Sequence, residues 1–153
     1  MHLKINTKAL NFTLKDKDGK IYELEKINSS FIVIYFYPKD NTPGCTIEAR
    51  EFSLALEKFE NLDTMIIGIS GGNEQTKEKF CDKNNLKIIL LSDEDFKISK
   101  KYKVYGEKNF MGRKYLGIFR TTFILDKNKK IIKIYEKVNP KDHAQDVLDF
   151  IKK

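Results

Sequence analysis

Residues 31–37 (FIVIYFY) constrain the fold most, because they form an unbroken run of β-branched and aromatic side chains. The lack of polar alternation predicts a strand that is buried on both faces at the centre of a sheet. Pro38 follows immediately and cannot donate a backbone hydrogen bond to a neighbouring strand, so we expect the strand to end there. The chain is therefore expected to build its sheet around this segment.

A helix is predicted to begin at Pro43, where the spacing of apolar residues changes from a strand pattern to a helical one. Its apolar face repeats at steps of three and four and consists of Ala49, Phe52, Leu56 and Phe59. Proline is well tolerated in the first turn of a helix, and Thr42 is of a residue type that caps helix N-termini. The result is a strand–loop–helix unit, with Cys45 at the point where the loop becomes helix.

Turn signals and short apolar runs divide the rest of the chain. An N-terminal β-hairpin is predicted for residues 11–15 and 21–24, across the turn signal Asp18-Gly19. Further strands are expected at residues 64–70, 88–91, 120–126 and 130–137. Helices are expected at residues 74–83, from 92–93 to 101, and from Asn139-Pro140 onward, with 106–117 as an irregular connection.

This order of elements predicts an α/β protein with a single domain over residues 1–153. Its central mixed sheet should carry helices on both faces. The strand–loop–helix unit around Cys45 is the crossover that a thioredoxin-like fold requires.

The charge of the chain argues against a nucleic-acid partner. The net charge is +7, from 29 basic and 22 acidic residues, but the basic residues are spread along the chain and only three of them are Arg. Nucleic-acid sites cluster their basic residues and use Arg at base edges, so no such partner is expected.

The same sequence contains few signals for membranes, metals or cofactors. Its longest apolar run is far too short to cross a bilayer, and no apolar segment near residue 1 indicates a signal peptide. We therefore expect a cytoplasmic protein whose two cysteines are free, catalytic or redox-sensing. His2 and His143 are expected at the surface. No metal-ligand spacing, phosphate loop or dinucleotide fingerprint is present, so neither a metal nor a cofactor is expected.

Cys45 is the candidate nucleophile, because a thiol in the first turn of a helix meets unpaired N–H groups and the positive end of the helix dipole. Gly44 is expected to leave space beside the sulfur. Arg120 is the expected cationic partner, since a plain surface residue before the apolar strand TTFIL would more often be Lys in this chain.

Ionisation of the thiol alone cannot make a fast enzyme. A free thiol with a pKa of ~8.5 is already about 3% thiolate at neutral pH, so full ionisation gains roughly 30-fold, or about 2 kcal/mol. Fast attack also needs donors aimed at the group under attack, which Thr42 and Arg120 are placed to supply. The residues alone leave a second interpretation open, in which Cys45 is a small buried residue, Thr42 a helix cap, Pro38 a strand terminator and Cys81 core filling.

Pro38, Thr42 and Cys45 fit the pattern P-x-x-x-T-x-x-C, and in this respect the chain resembles the peroxiredoxins. The longer string FYPKDNTPGCTIEA is similar to the Q-type branch, also called bacterioferritin comigratory protein. The segments FTLKDKDGK, LLSDED, KYKVYGEK and GRKYLGIFRTTFILD extend the resemblance over nearly the whole chain. It implies a thioredoxin fold and a thiol-dependent reduction of hydrogen peroxide and organic hydroperoxides.

The resemblance also implies roles for individual residues. Cys45 would be the peroxidatic cysteine, which becomes a sulfenic acid. Thr42 would hydrogen-bond the thiolate and the peroxide, and Pro38 would shield the sulfenate. Arg120 would hold the thiolate and polarise the O–O bond, with Glu48 to orient it.

The second cysteine departs from the commonest family pattern. Many members place a resolving cysteine five residues after the peroxidatic one, where this chain has Arg50. Some Q-type members place it where this chain has Cys81, which implies an intramolecular Cys45–Cys81 disulfide that a thioredoxin-like donor reduces. Two helices packed on one sheet rarely hold cysteines close enough to bond, so the first turn around Cys45 is expected to open.

Three alternatives remain at the level of sequence. An external thiol would resolve Cys45 in a one-Cys mechanism. A disulfide oxidoreductase would need C-x-x-C, but position 48 is Glu48. A thioredoxin-fold binding module would leave Cys45 inert. The chain is expected to be a monomer or a weak homodimer.

Overall fold

Residues 31–37 form the central strand of the sheet, as predicted, in a computed structural model that describes residues 3–153. The strands are β1 (Thr13–Lys15), β2 (Ile21–Glu23), β3 (Phe31–Phe36), β4 (Thr64–Ser70), β5 (Ile89–Ser92), β6 (Tyr105–Phe110), β7 (Arg113–Ile118), β8 (Thr121–Asp126) and β9 (Ile131–Tyr135). The helices are α1 (Pro43–Leu54), α2 (Leu56–Glu60), α3 (Glu74–Asn84), α4 (Lys97–Lys101) and α5 (His143–Lys152). Over residues 3–153, no helix is both long enough and apolar enough to cross a membrane.

Seven strands form a mixed sheet in the order β2-β1-β5-β4-β3-β8-β9. Strand β3 pairs in parallel with β4 on one side and antiparallel with β8 on the other. Strands β1 and β2 pair as the predicted N-terminal hairpin. The predictions of a mixed sheet and of this hairpin are both confirmed.

Strand β3 has a hydrophobic core on each face of the sheet, which explains its unbroken apolar sequence. Val33 and Tyr35 point into a core that α1, α2, α3 and α5 cover. Ile32, Ile34 and Phe36 point into the opposite core, which contains residues of α4 and of the N-terminal segment. The predicted placement of helices on both faces is therefore confirmed.

Three boundaries differ from the predictions for reasons of backbone geometry. The helix predicted to follow 92–93 begins only at Lys97, because Phe96 has a left-handed backbone with φ of 58°. The helix predicted from Pro43 to Phe59 is divided at Ala55, whose ψ of 0° ends α1 before α2 begins. The last helix begins at His143 and not at Asn139-Pro140, because Asp142 has a left-handed backbone with φ of 65°.

Residues 106–117, predicted to be an irregular connection, belong instead to a two-stranded β-hairpin of β6 and β7. This hairpin is separate from the central sheet and most of its residues are exposed. Because only the paired residues Tyr105 and Ile118, at one end of the hairpin, reach a core, its other apolar residues do not alternate with polar ones, and the sequence carries no strand signal there.

The topology brings three parts of the chain to one end of the sheet. The C-terminal end of β3 lies beside that of β4, and Tyr37 donates its backbone N–H to Ile69 at 3.1 Å. On the other side of β3, Phe36 is paired with Thr121, the first residue of β8. The loop after β3 therefore lies next to Arg120, which directly precedes β8.

Candidate active site

Cys45 lies in the first turn of α1, which begins at Pro43 as predicted. The helical bonding starts where Thr46 donates its N–H to the carbonyl of Thr42 at 2.9 Å. The N–H groups of a first helical turn have no partner within the helix, and they present partial positive charge. The Cys45 side chain is only 1% exposed, so a negative charge on its sulfur depends on neighbouring donors.

Arg120 bridges Cys45 and Glu48. Its Nη2 donates a hydrogen bond to Cys45 Sγ at 3.3 Å, and its Nη1 donates to Glu48 Oε1 at 2.8 Å. Glu48 lies one turn after Cys45 on α1, so both acceptors are on the same face of one helix. The planar guanidinium suits such a bridge because its donors have a fixed geometry.

The carboxyl group of Glu48 is fully buried. Burial raises the pKa of Glu48 to about 7, although the charge and the hydrogen bond of Arg120 act in the opposite direction. Its second oxygen, Oε2, has no hydrogen-bond partner among residues 3–153. The group therefore titrates near neutral pH, directly beside the guanidinium that contacts Cys45.

Gly44 makes room for Arg120. A Cβ atom at position 44 would lie 3.3 Å from Arg120 Nη2 and 3.3 Å from Pro140 Cγ. The sequence predicted that Gly44 leaves space beside the sulfur of Cys45. The structure shows that the Arg120 guanidinium, which donates to that sulfur, lies beside position 44.

Thr42 occupies the N-cap position of α1, but its side chain does not cap the helix. Its hydroxyl donates to the carbonyl of Lys39 at 2.9 Å, within the loop that leads to Cys45. The prediction of a side-chain cap is therefore wrong, because the hydroxyl turns back toward the loop. Pro38 is partly buried at the start of the same loop, directly after β3.

Cys81 lies on α3 and is 5% exposed. Both cysteines are free thiols, and both pack into the core under one face of the sheet. Burial raises the pKa of the Cys81 thiol. Tyr35 shares this core, and its buried hydroxyl has no hydrogen-bond partner among the described residues. The two thiols are thus on the same side of the sheet, as α1 and α3 follow adjacent parallel strands.

The comparison with known proteins identifies the family. Residues 5–134 match the model of the AhpC/TSA family. The chain is 40% identical over 152 residues to peroxiredoxin Bcp of Bacillus subtilis, with 99% of this chain and 97% of that protein covered. This chain belongs to the AhpC/TSA family and is a peroxiredoxin.

Solved structures support the same conclusion for the fold. The peroxiredoxin resembles a cysteine variant of PrxQ from Xylella fastidiosa, with a TM-score of 0.93, 31% identity, and 99% of this chain and 97% of that chain covered. It also resembles the bacterioferritin comigratory protein of Xanthomonas campestris, with a TM-score of 0.86, 33% identity, and 92% and 90% of the two chains covered. The predicted thioredoxin-like fold, the Q-type resemblance and the thiol peroxidase activity are confirmed.

Two residues next to the loop that leads to Cys45, or within it, had no sequence signal. Lys77 on α3 is fully buried, and its Nζ lies 2.8 Å from Asp40 Oδ2. Asp40 belongs to the loop between Pro38 and Thr42. A single Lys in a Lys-rich chain cannot be recognised as buried from its type or its spacing.

His143 corrects a further prediction. It was expected at the surface, but it is 4% exposed, and its Nε2 lies 2.8 Å from the hydroxyl of Thr122. Its imidazole ring makes edge-to-face contacts with the rings of Tyr135 and Phe52, at centroid distances of 5.0 and 5.9 Å. Burial, together with the charge of Arg120, lowers the pKa of His143 to about 4. His2 lies outside the described residues.

Proposed function

We propose that this peroxiredoxin reduces hydroperoxides at Cys45 and that Arg120 is its main electrostatic partner. The observation that carries the proposal is the 3.3 Å hydrogen bond from Arg120 Nη2 to Cys45 Sγ. The thiolate attacks one peroxide oxygen, the S–O bond forms as the O–O bond breaks, and water or an alcohol leaves after protonation. Cys45 becomes a sulfenic acid.

Arg120 stabilises negative charge on the Cys45 sulfur before this step and on the reacting oxygens during it. Its Nη2 contacts the Cys45 sulfur, and its donors are positioned to polarise the O–O bond when a peroxide arrives. Glu48 acts as a positioning residue, since its 2.8 Å bond to Nη1 fixes the orientation of the guanidinium. Its role is therefore to hold a donor and not to exchange a proton with the peroxide.

Thr42 and Pro38 complete the proposed pocket. Both lie in the loop that leads from β3 into α1, and the hydroxyl of Thr42 is held by Lys39 in a defined orientation. While donating to Lys39, this hydroxyl keeps lone pairs that are able to accept a hydrogen bond from the peroxide. Pro38 is partly buried and is the residue expected to shield the sulfenate.

The second half of the proposed cycle uses Cys81. Its thiol and the sulfenic acid of Cys45 form an intramolecular disulfide with loss of water, and a dithiol reductant such as thioredoxin then restores both thiols. The shared core position of the two cysteines supports this pairing over one with a second chain. The alternative is a one-Cys cycle in which an external thiol attacks Cys45 directly.

The substrate is proposed to include organic hydroperoxides as well as hydrogen peroxide. The related Xanthomonas campestris protein is described by its alkyl peroxide reduction activity. We further propose one thioredoxin-like domain over residues 1–153, a monomer or weak homodimer, a cytoplasmic location and no nucleic-acid partner.

The test is peroxide consumption coupled to thioredoxin turnover. Cys45→Ser should abolish the activity, whereas Cys81→Ser should oxidise normally at Cys45 but fail to form the disulfide, as read by intact mass after one equivalent of peroxide. A loss of less than about tenfold in Cys45→Ser would refute the catalytic role of Cys45. If Cys81→Ser turns over as fast as the wild type, the one-Cys cycle is correct.

A further inference from the structure

Lys77 is a buried cation that the peroxidatic step does not use. Its side chain is 0% exposed. The Nζ atom donates to three acceptors, namely Asp40 Oδ2 at 2.8 Å, Ser70 Oγ at 2.8 Å and the carbonyl of Gly71 at 2.6 Å. Every proton of the ammonium group is therefore matched by an oxygen, which is the condition for burying such a charge at tolerable cost.

Asp40 connects this cation to the loop that precedes Cys45. Its side chain is 6% exposed. Besides Lys77, the carboxylate accepts hydrogen bonds from the hydroxyl of Tyr37 at 2.6 Å and from that of Thr76 at 3.0 Å. Tyr37 directly follows β3, and Thr76 lies in the first turn of α3. One carboxylate thus joins the end of the central strand, the Cys45 loop and the start of α3.

Cys81 lies one helical turn after Lys77 on α3, and both side chains are buried. Residues four apart on a helix share a face, so the bond from Lys77 to Asp40 also keeps Cys81 turned into the core. A disulfide with Cys45 needs Cα atoms within about 7 Å and a specific approach of the two sulfurs. Two folded helices packed side by side rarely allow it, so either α3 or the Cys45 loop has to move.

We propose that the Asp40–Lys77 ion pair is a positioning device that sets the rate at which Cys81 reaches Cys45. The ion pair joins α3 to the Cys45 loop. It must therefore break whether α3 or the loop moves. This inference rests on the proposed two-cysteine cycle. It adds the residues that control the conformational step of that cycle.

The chemical step that follows this movement is disulfide formation, and it needs only the Cys81 thiol and the Cys45 sulfenic acid. The Cys81 sulfur, once deprotonated, attacks the Cys45 sulfenic acid, so the S–S bond forms and the S–O bond breaks. The hydroxide that leaves takes up the proton of the Cys81 thiol and departs as water. Peroxide is the oxidant, and no further co-reactant is needed.

The closed pair has a kinetic consequence. While the ion pair is intact, Cys81 cannot reach the sulfenic acid of Cys45. A second peroxide molecule can then oxidise this sulfenic acid to the sulfinic acid. Removing one partner leaves the other group buried with its remaining hydrogen bonds but without an opposite charge, which favours the open form. Loss of the pair should therefore speed disulfide formation and protect Cys45 from over-oxidation.

The experiment measures disulfide formation after sulfenic acid has formed, by rapid quenching with an alkylating reagent and intact mass. Lys77→Met keeps the length of the side chain without its charge, and it should form the Cys45–Cys81 disulfide faster by about tenfold or more. Its yield of sulfinic acid at high peroxide should fall. Lys83→Met, on the exposed side of the same helix, is the matched control and should behave as the wild type.

A double-mutant cycle separates the ion pair from a general loosening of the helix. Asp40→Asn should also accelerate the disulfide, and it carries the test if Lys77→Met does not fold. The double variant leaves no unpaired charge, so its rate should return toward the wild-type value. Hydrogen exchange of the α3 amides should speed up in each single variant by the same factor as disulfide formation.

The possible failures are distinguishable. If the wild type forms no intramolecular disulfide after one equivalent of peroxide, the two-cysteine cycle itself is wrong. If the wild type forms it and both single variants form it at the same rate, the cycle stands and the role of the Asp40–Lys77 pair is wrong. Additive acceleration in the double variant would likewise show that the two residues do not act as a pair.

Discussion

Arg120 Nη2 donates a hydrogen bond to the sulfur of Cys45 at 3.3 Å, although the two residues are 75 positions apart in the chain. The antiparallel pairing of β3 with β8 creates this proximity, because Phe36 faces Thr121 and the residues beyond them leave the sheet at the same end. The reaction centre is therefore a direct product of strand register. A shift of one residue in β8 would turn Arg120 away from the thiol.

Replacing Arg120 by Lys should slow the oxidation of Cys45 by peroxide about 100-fold, the usual cost of one preorganised donor at a developing charge. Lys keeps a positive charge but lacks the fork that reaches Cys45 and Glu48 together. The second-order rate constant from stopped-flow fluorescence or a competition assay measures the effect. A change of less than fivefold in Arg120→Lys would show that charge alone suffices. Arg113→Lys, on exposed β7, is the control and should leave the rate unaltered.

Glu48 should give the wild type a pH-dependent stability that Glu48→Gln lacks. Its pKa is about 7 in the folded protein and near its ordinary value of 4.5 in the unfolded chain. The folded state therefore binds more protons between these values, and its stability falls as pH rises from about 4.5 through 7 and then levels off. The full difference is of order 3 kcal/mol. Urea unfolding at pH 5 and pH 8 measures it, since other titrating groups are common to both proteins and cancel in the comparison. An equal stability difference at the two pH values would contradict the assigned burial.

The sequence predicted the parts of the molecule in which a local pattern has a single structural meaning. The apolar run at residues 31–37 specified a two-sided core strand, and Pro43 specified the start of α1. Arg120 was recognisable because an Arg before an apolar strand is unusual in a Lys-rich chain. Its proximity to Cys45 depends on the pairing of β8 with β3, which the order of elements along the chain does not specify.

The unpredicted features depend on contacts between distant segments. Lys77 is buried because the Cys45 loop brings Asp40 to it, and nothing within α3 indicates that partner. His143 is buried because α5 packs it between Tyr135 and Phe52. Burial of a polar side chain is decided by its tertiary partners, so its residue type alone pointed to the surface in both cases.

His143 should make the protein less stable in mild acid. Its pKa is lowered to about 4 in the folded state, against an ordinary value of 6.5 in the unfolded chain. The unfolded chain therefore binds more protons below pH 6.5, and stability is lost as pH falls from there toward 4. Between pH 7 and pH 5 the loss amounts to about 2 kcal/mol. His143→Gln, which keeps a partner for the hydroxyl of Thr122, should remove this loss in urea unfolding at the two pH values. If the variant and the wild type lose the same stability, His143 is not the responsible group.

Replacing Gly44 by Ala should reduce the rate of Cys45 oxidation while leaving the fold intact. The new Cβ would lie 3.3 Å from Arg120 Nη2, which is close enough to push the guanidinium away from the sulfur. Gly44 lies within α1, where Ala is intrinsically favoured by up to about 1 kcal/mol, so stability should not fall with activity. We expect a loss of about tenfold in the oxidation rate. In the Arg120→Lys background, Gly44→Ala should cost little more, because both substitutions act on the same contact. A full additional tenfold loss in that double variant would mean that position 44 affects the thiol by another route, such as the first-turn N–H groups of α1.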